Sequence, residues 1–382
     1  MHKVNSYRDI NDSLRSSGNF RNIPADRSDT GSTVDLSSND YLGLAEMPGL
    51  QEQFFADPQN RSIPMTSSAS RLLAARQNEY ARLESLLESL YKRPALLFNS
   101  GYHANTGLIS SLAAGAKTLI VADKLVHASI IDGIVLSKAP FTRFRHNDLA
   151  HLERILAKEE SGYERIIIAV ESVYSMDGDR ADIEALAAIR RRYPKSLLFV
   201  DEAHAFGAEG TQGLGLCRDS ACYDNVDVIV GTFGKACASM GAFAAVPGEI
   251  KEYLVNRARS FIFSTALPPL SAAWTEHIIR QFLPMDDRRS HLRLLGERLH
   301  SWLQPLSPDY SITPSHIQPL ILGDPERAVE VSRLLRDEGF IVLPIRTPTV
   351  PPGTERLRIS LNANLTFDQI DRFGETLNSI LR

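Results

Sequence analysis

Short apolar runs recur through the middle of the chain, spaced widely enough for an amphipathic helix to fit between most neighbours. They are Ala95-Leu96-Leu97-Phe98, Thr118-Leu119-Ile120-Val121, Ile166-Ile167-Ile168-Ala169-Val170, Leu197-Leu198-Phe199-Val200 and Val228-Ile229-Val230. Runs this short, apolar at consecutive positions, read as strands buried on both faces. Between two of them, residues 182–193 place Ile183, Leu186, Ala187 and Ile189 on one helical face. Alternation of this kind predicts an α/β architecture with a mostly parallel central sheet.

The pattern changes after Pro247. A helical region (249–259, 270–282, 288–303) leads into strand-like pieces at 317–322, 340–344 and 357–361, which flank a helical 328–338. The division predicted is a large α/β domain over 46–247 and a smaller C-terminal α+β domain over 248–382. Residues 1–45 are too polar to build a core and are expected to pack on the small domain or on a partner subunit. A length of 382 residues suits two domains.

Composition narrows the function classes. Hydrophobic residues at 43% and charged residues at 23% describe a folding chain, not a disordered one. Forty-two Lys and Arg against 46 Asp and Glu give a net charge of -4, which lacks the basic footprint of a nucleic-acid or anionic-membrane binder. Cys217, Cys222 and Cys237 are too few for a disulfide framework, and no His/Cys set has zinc spacing. The polar N-terminus and the absence of any long apolar stretch lead us to expect a soluble, cytoplasmic protein with no membrane partner and no metal.

In open α/β sheets, reactive groups collect beyond the carboxyl ends of strands. Four runs lead there: to Asp201-Glu202-Ala203-His204, to Glu171-Ser172-Val173-Tyr174-Ser175, to Gly231-Thr232-Phe233-Gly234-Lys235, and through Asp123 to His127. Asp-Glu-Ala-His would suit a nucleotide-driven motor, but Gly234-Lys235 lacks the upstream glycine of a phosphate loop. Gly207, Gly210, Gly213 and Gly215 miss the dinucleotide fingerprint. A lysine past a strand end can instead form a Schiff base with an aldehyde cofactor, and pyridoxal phosphate accounts for the neighbours. Asp201 suits its ring nitrogen. Gly101 and Tyr102, near the start of a helix predicted over 103–113, suit its phosphate together with Thr232, and His127 suits its ring face. Singly, each has a plainer reading: a solvated lysine, hydrogen-bonded structural histidines, an aspartate capping a helix. Their coincidence at adjacent strand ends favours the site.

With these residues in place, the chain resembles the α-oxoamine synthases, pyridoxal-phosphate enzymes of the fold type I transferase class. The resemblance rests on Leu36-Ser37-Ser38-Asn39-Asp40-Tyr41-Leu42-Gly43-Leu44, Asn99-Ser100-Gly101-Tyr102-His103-Ala104-Asn105, Asp123-Lys124-Leu125-Val126-His127-Ala128-Ser129 and Arg145-His146-Asn147-Asp148. It continues through Ser175-Met176-Asp177-Gly178-Asp179, residues 200–204, residues 231–235 and Ser264-Thr265. Such enzymes condense an amino acid with an acyl thioester and release carbon dioxide. Residues 317–324 and 345–358 are most similar to the member that joins L-alanine to a pimeloyl thioester, carried on coenzyme A or acyl carrier protein, in biotin biosynthesis.

The resemblance implies that Lys235 holds the cofactor and then removes the α-proton, that Asp201 keeps the ring nitrogen protonated, and that His127 stacks on the ring. It implies His204 and Ser175 at the ring's edge. Gly101, Tyr102 and Thr232 are implied at the phosphate, and Ser264 and Thr265 at the phosphate of a neighbouring subunit, hence a homodimer with shared sites. Arg358 is implied for the amino-acid carboxylate, and Arg21, Asn39 and Thr349 for substrate. Two readings stay open beside it: another α-oxoamine synthase, such as glycine C-acetyltransferase, and a non-catalytic binder of the cofactor. The chain departs from the family pattern over Thr66 to Arg76, where many members are glycine-rich, and at Ala236-Cys237-Ala238-Ser239-Met240 after the lysine.

Overall fold

The computed structural model describes residues 6–21, 23, 33–308 and 310–382. A seven-stranded sheet is built from β1 (Ala95–Phe98), β2 (Thr118–Asp123), β3 (Phe141–Phe144), β4 (Arg165–Glu171), β5 (Ser196–Asp201), β6 (Val228–Thr232) and β7 (Ala242–Ala245). Their spatial order is β1-β7-β6-β5-β4-β2-β3. Strand β7 runs antiparallel to both neighbours, and every other pair is parallel. The α/β class and the mostly parallel sheet are therefore as the pattern predicts.

Two strands escape the apolar-run criterion. Strand β3 lies at the sheet edge and exposes Phe141 while burying Phe144. Strand β7, Ala242-Phe243-Ala244-Ala245, has three alanines, poor strand formers by propensity. Packing decides its state: it is fully buried between β1 and β6. A side chain on Gly231 of β6 would begin 2.3 Å from the Phe243 ring, so the glycine makes room for the aromatic. Phe243 in turn stacks on Phe233, two residues before Lys235.

Alternate residues of the strands point to one face. Leu96, Phe98, Ile120, Ala122, Ile167, Ala169, Phe199, Val228 and Val230 are buried there in one cluster with helices α1 (Gly101–Leu112) and α2 (Ala128–Ser137), which supply Ala104, Leu108, Ile109, Ile130 and Ile134. The opposite face buries Leu119, Val121, Ile166, Ile168, Leu198 and Val200. Burial on both sides is why these strands read as unbroken apolar runs. Helix α1 begins two residues before the predicted 103, because Ser100 caps it: its hydroxyl accepts from the His103 N–H at 3.2 Å.

By packing, the chain divides into a larger unit, residues 40–175 and 180–289, and a smaller one, 176–179 and 290–382 with the described residues of 1–39. Helix Pro269–Phe282 packs on helix Asn78–Tyr91, so it belongs to the larger unit although it follows Pro247. In the smaller unit, β8 (Ile317–Ile321), β9 (Leu343–Ile345) and β10 (Arg356–Ser360) form an antiparallel sheet in the order β9-β10-β8. Val34–Asp35 pairs in parallel with Phe340–Ile341, tying the N-terminal stretch to the C-terminal residues.

Candidate active site

The carboxyl ends of β4, β5 and β6 bring the strand-end residues of the larger unit together. Asp201 closes β5, in register with Glu171 on β4 and Val230 on β6. It is 4% exposed. Its Oδ1 accepts from the Ala203 N–H at 2.9 Å and its Oδ2 from the Asn105 amide at 2.7 Å. Asp201 is thus a strand terminus and not a helix cap, and both its hydrogen-bond donors are neutral.

Lys235 follows β6 by three residues, in a turn closed by Ala238 N–H donating to its carbonyl at 2.8 Å. Its Nζ lies 2.6 Å from His204 Nε2, and His204 Nδ1 lies 2.5 Å from the Tyr41 hydroxyl. An ammonium donating to Nε2 leaves Nδ1–H to donate to Tyr41 Oη, so the three groups form a chain of one polarity. Tyr41 and His204 are both buried. Tyr41 stands in a motif that carries the resemblance, but nothing in an isolated aromatic signals its distant partner 163 positions along the chain.

His127 caps α2. Its Nδ1 accepts from the Ser129 N–H at 3.2 Å and lies 2.7 Å from the Ser129 hydroxyl, which also receives the Asn105 amide at 2.9 Å. Burial pulls the His127 imidazole below its usual pKa, Asp201 opposing and Lys235 adding to the effect. Glu171 is wholly buried, and burial first, then the neighbouring Asp201 charge, push its carboxyl well above the usual range. The backbone at His127 and Ser175 opposes that shift, so Glu171 stands beside two of the predicted site residues. The sequence places Glu171 where the apolar run of β4 ends but carries no signal of this role.

At the start of α1, the amides of Gly101 and Tyr102 are first-turn donors with no intrahelical acceptor. A Cβ on Gly101 would lie 3.7 Å from Thr232 Cβ, so the helix start abuts the end of β6. The Thr232 hydroxyl accepts from Gly234 N–H at 3.3 Å and donates to the Gly241 carbonyl at 3.1 Å. Ser264 donates to the Ser260 carbonyl at 2.6 Å, and the Thr265 carbonyl accepts from the Asn99 amide, also at 2.6 Å. Ser264 and Thr265 therefore lie beside the residue that precedes the Ser100 cap. An amine, a buried carboxylate, an imidazole and a helix start with hydroxyls match the aldehyde, ring nitrogen, ring face and phosphate of pyridoxal phosphate in kind. The residues present fit that group.

The remaining predicted residues belong to the smaller unit. Arg21 Nη2 donates to Thr349 Oγ1 at 3.0 Å, which joins two of the substrate candidates across 328 positions of sequence. Arg358, 5% exposed on β10, donates to the Ser360 hydroxyl at 3.0 Å. Asn39 is half-buried at the end of that unit's N-terminal stretch. Among the described residues, no cluster of His, Cys, Asp and Glu could hold a metal ion, and no helix is long and apolar enough to cross a membrane.

Comparison with known proteins agrees with the geometry. Residues 32–377 match the family model described as aminotransferase class I and II. The 8-amino-7-oxononanoate synthase of Haemophilus ducreyi is 47% identical over 343 residues, covering 87% of this chain and 88% of that protein. A serine palmitoyltransferase of S. paucimobilis, solved with bound PLP-myriocin, superposes with a TM-score of 0.86 at 28% identity, over 97% of this chain and 95% of its own. The 8-amino-7-oxononanoate synthase of Francisella tularensis gives 0.76 at 28% identity, over 92% of this chain and 98% of its own. By motif, fold and these relatives, the chain belongs to the aminotransferase class I and II family, among its α-oxoamine synthases.

Proposed function

We propose that the protein is a pyridoxal-phosphate-dependent acyltransferase that condenses L-alanine with a pimeloyl thioester, on coenzyme A or acyl carrier protein, giving 8-amino-7-oxononanoate, carbon dioxide and the free thiol in biotin biosynthesis. The observation that carries the reading is Lys235 Nζ 2.6 Å from His204, at strand ends that also present Asp201. The relatives that carry this activity by name support the choice of substrates.

When bound, pyridoxal phosphate supplies an aldehyde for covalent capture of an amine and a protonated ring that delocalises a neighbouring carbanion. Lys235 would hold the aldehyde carbon and, once displaced by alanine, use its freed amine to take the α-proton. The His204–Tyr41 chain orients that amine. Asp201, with neutral donors on both oxygens and no cation closing it off, would face the ring nitrogen and hold its proton. His127 would cover the ring, and His204 and Ser175 would serve its edge. Gly101, Tyr102 and Thr232 would take the phosphate, joined by Ser264 and Thr265 of a neighbouring subunit in a cytoplasmic homodimer. Arg358 would bind the alanine carboxylate, a task for a planar bidentate donor; Arg21, Asn39 and Thr349 would contact substrate.

The test is an absorbance scan of the protein with pyridoxal phosphate, adding L-alanine, glycine and then pimeloyl-CoA. A visible band that shifts with alanine in preference to glycine, followed by thiol release, is the expected result. A glycine preference would make the protein a glycine-using relative instead, and a missing band would remove the cofactor.

A further inference from the structure

Asp201 and His127 are joined by a line of hydrogen bonds through two residues that no catalytic step above uses. Asn105, on α1, is 2% exposed, and Ser129, on α2, is fully buried. One N–H of the Asn105 amide donates to Asp201 Oδ2 at 2.7 Å and the other to Ser129 Oγ at 2.9 Å. The opposite amide orientation would set two acceptors against each other at Asp201, so the donors face the carboxylate. The Asn105 oxygen has no partner within the protein, which agrees with an amide aimed by its N–H groups. With its oxygen engaged by Asn105, the Ser129 hydroxyl turns its own proton to His127 Nδ1, 2.7 Å away, and the Ser129 N–H converges on the same nitrogen at 3.2 Å.

Helix packing holds the line in register. Gly133 sits one turn beyond Ser129, and a Cβ there would meet Asn105 O at 3.1 Å and Thr106 Cα at 3.2 Å. The missing side chain lets α2 lie against the backbone of α1 at the residue that donates to both acceptors. Two donors on Nδ1 leave the neutral ring one place for its proton, Nε2.

We propose that Asn105 and Ser129 are positioning residues that link Asp201 to His127 and fix the imidazole as its Nε2–H tautomer, so that the ring presents a hydrogen-bond donor at the active site. The catalytic consequence rests on the function proposed above, whereas the tautomer is a property of the chain itself.

The test uses protein labelled with 15N-histidine, its nitrogen signals recorded with and without pyridoxal phosphate, and His127→Asn to assign the His127 pair. The expected spectrum shows Nε2 protonated and Nδ1 bare in both states. Ser129→Ala should lower the Nε2–H share several-fold, Asn105→Ala should lower it less, and Ser129→Thr, which keeps the hydroxyl, should restore it. In turnover, Ser129→Ala should reduce kcat roughly five- to tenfold with the KM for the amino acid unchanged, the size of one hydrogen bond. A protonated Nδ1 in the unaltered protein, or an unshifted tautomer in Ser129→Ala, overturns the proposal. If Asn105→Ala fails to fold, Ser129→Ala decides alone, since it removes a single oxygen. A protein that binds no pyridoxal phosphate would defeat the proposed function and leave the tautomer result standing.

Discussion

Asp177 and Asp201 are both buried carboxylates, one in each unit, and their partners are opposite in kind. Asp177 accepts from the Arg356 guanidinium and the Tyr310 hydroxyl, and Arg356 is itself buried and donates on to the Thr354 carbonyl at 2.9 Å. Asp201 has an amide and a backbone N–H, and neither is charged. A carboxylate closed by a fixed cation is neutralised where it stands, and its work is architectural. One held only by neutral donors has no fixed countercharge closing it off from a group that arrives later. Burial alone therefore does not tell these two acids apart; the charge of their partners does.

The comparison breaks first, and hardest, at the lysine that shares the Asp201 site. Lys235→Ala should lower kcat/KM more than about a thousandfold, since it removes both the covalent anchor and the base. The borohydride-reducible visible band should vanish with it. Lys235 is only half-buried, so the melting temperature should barely move. Turnover with an intact band would show that the amine lies elsewhere.

Removing one partner of a buried ion pair strands the other. Asp177→Asn should therefore destabilise the protein by about 3 kcal/mol or more in urea unfolding. Asp201→Asn breaks no hydrogen bond to a cation, so its unfolding midpoint should stay near that of the unaltered protein. Its loss should instead fall on exchange of the alanine α-proton with solvent, slowed about a hundredfold. A large stability loss in Asp201→Asn with normal exchange would erase the distinction between the two acids.

How much of this the sequence disclosed follows from what each feature depends on. Strands β1, β2, β4, β5 and β6 announce themselves because burial on both faces demands consecutive apolar residues. Strand β7 does not, because its alanines are there to fit between neighbours. Lys235, Asp201, His204 and His127 are legible together, because four separate plain readings would have to coincide just beyond neighbouring strands. Tyr41 and Asn105 are not: each acts through a partner more than ninety positions away. The Asn105 contact requires α1 and α2 to cross at Gly133, and that crossing is a fact of packing.

Glu202, beside Asp201 in sequence, extends the comparison to an acid with no countercharge among its hydrogen-bond partners. Its Oε1 accepts from Leu216 N–H at 2.7 Å and Cys217 N–H at 3.0 Å, while Oε2 lies against the bare Cα of Gly215, whose φ of +84° also suits glycine. Burial, outweighing those two hydrogen bonds, raises its pKa from 4.5 to about 7. A carboxyl with a higher pKa folded than unfolded binds more protons in the native state, so it favours folding below pH 4.5 and loses that contribution as pH rises through 7. Between pH 6 and 8 the loss attributable to Glu202 should be about 1 kcal/mol. Glu202→Gln keeps an acceptor for both N–H groups and cannot titrate, so its stability should fall less over that interval. Identical slopes in urea titrations of the two proteins would mean that Glu202 does not titrate between pH 6 and 8, and that its burial does not raise its pKa into this range.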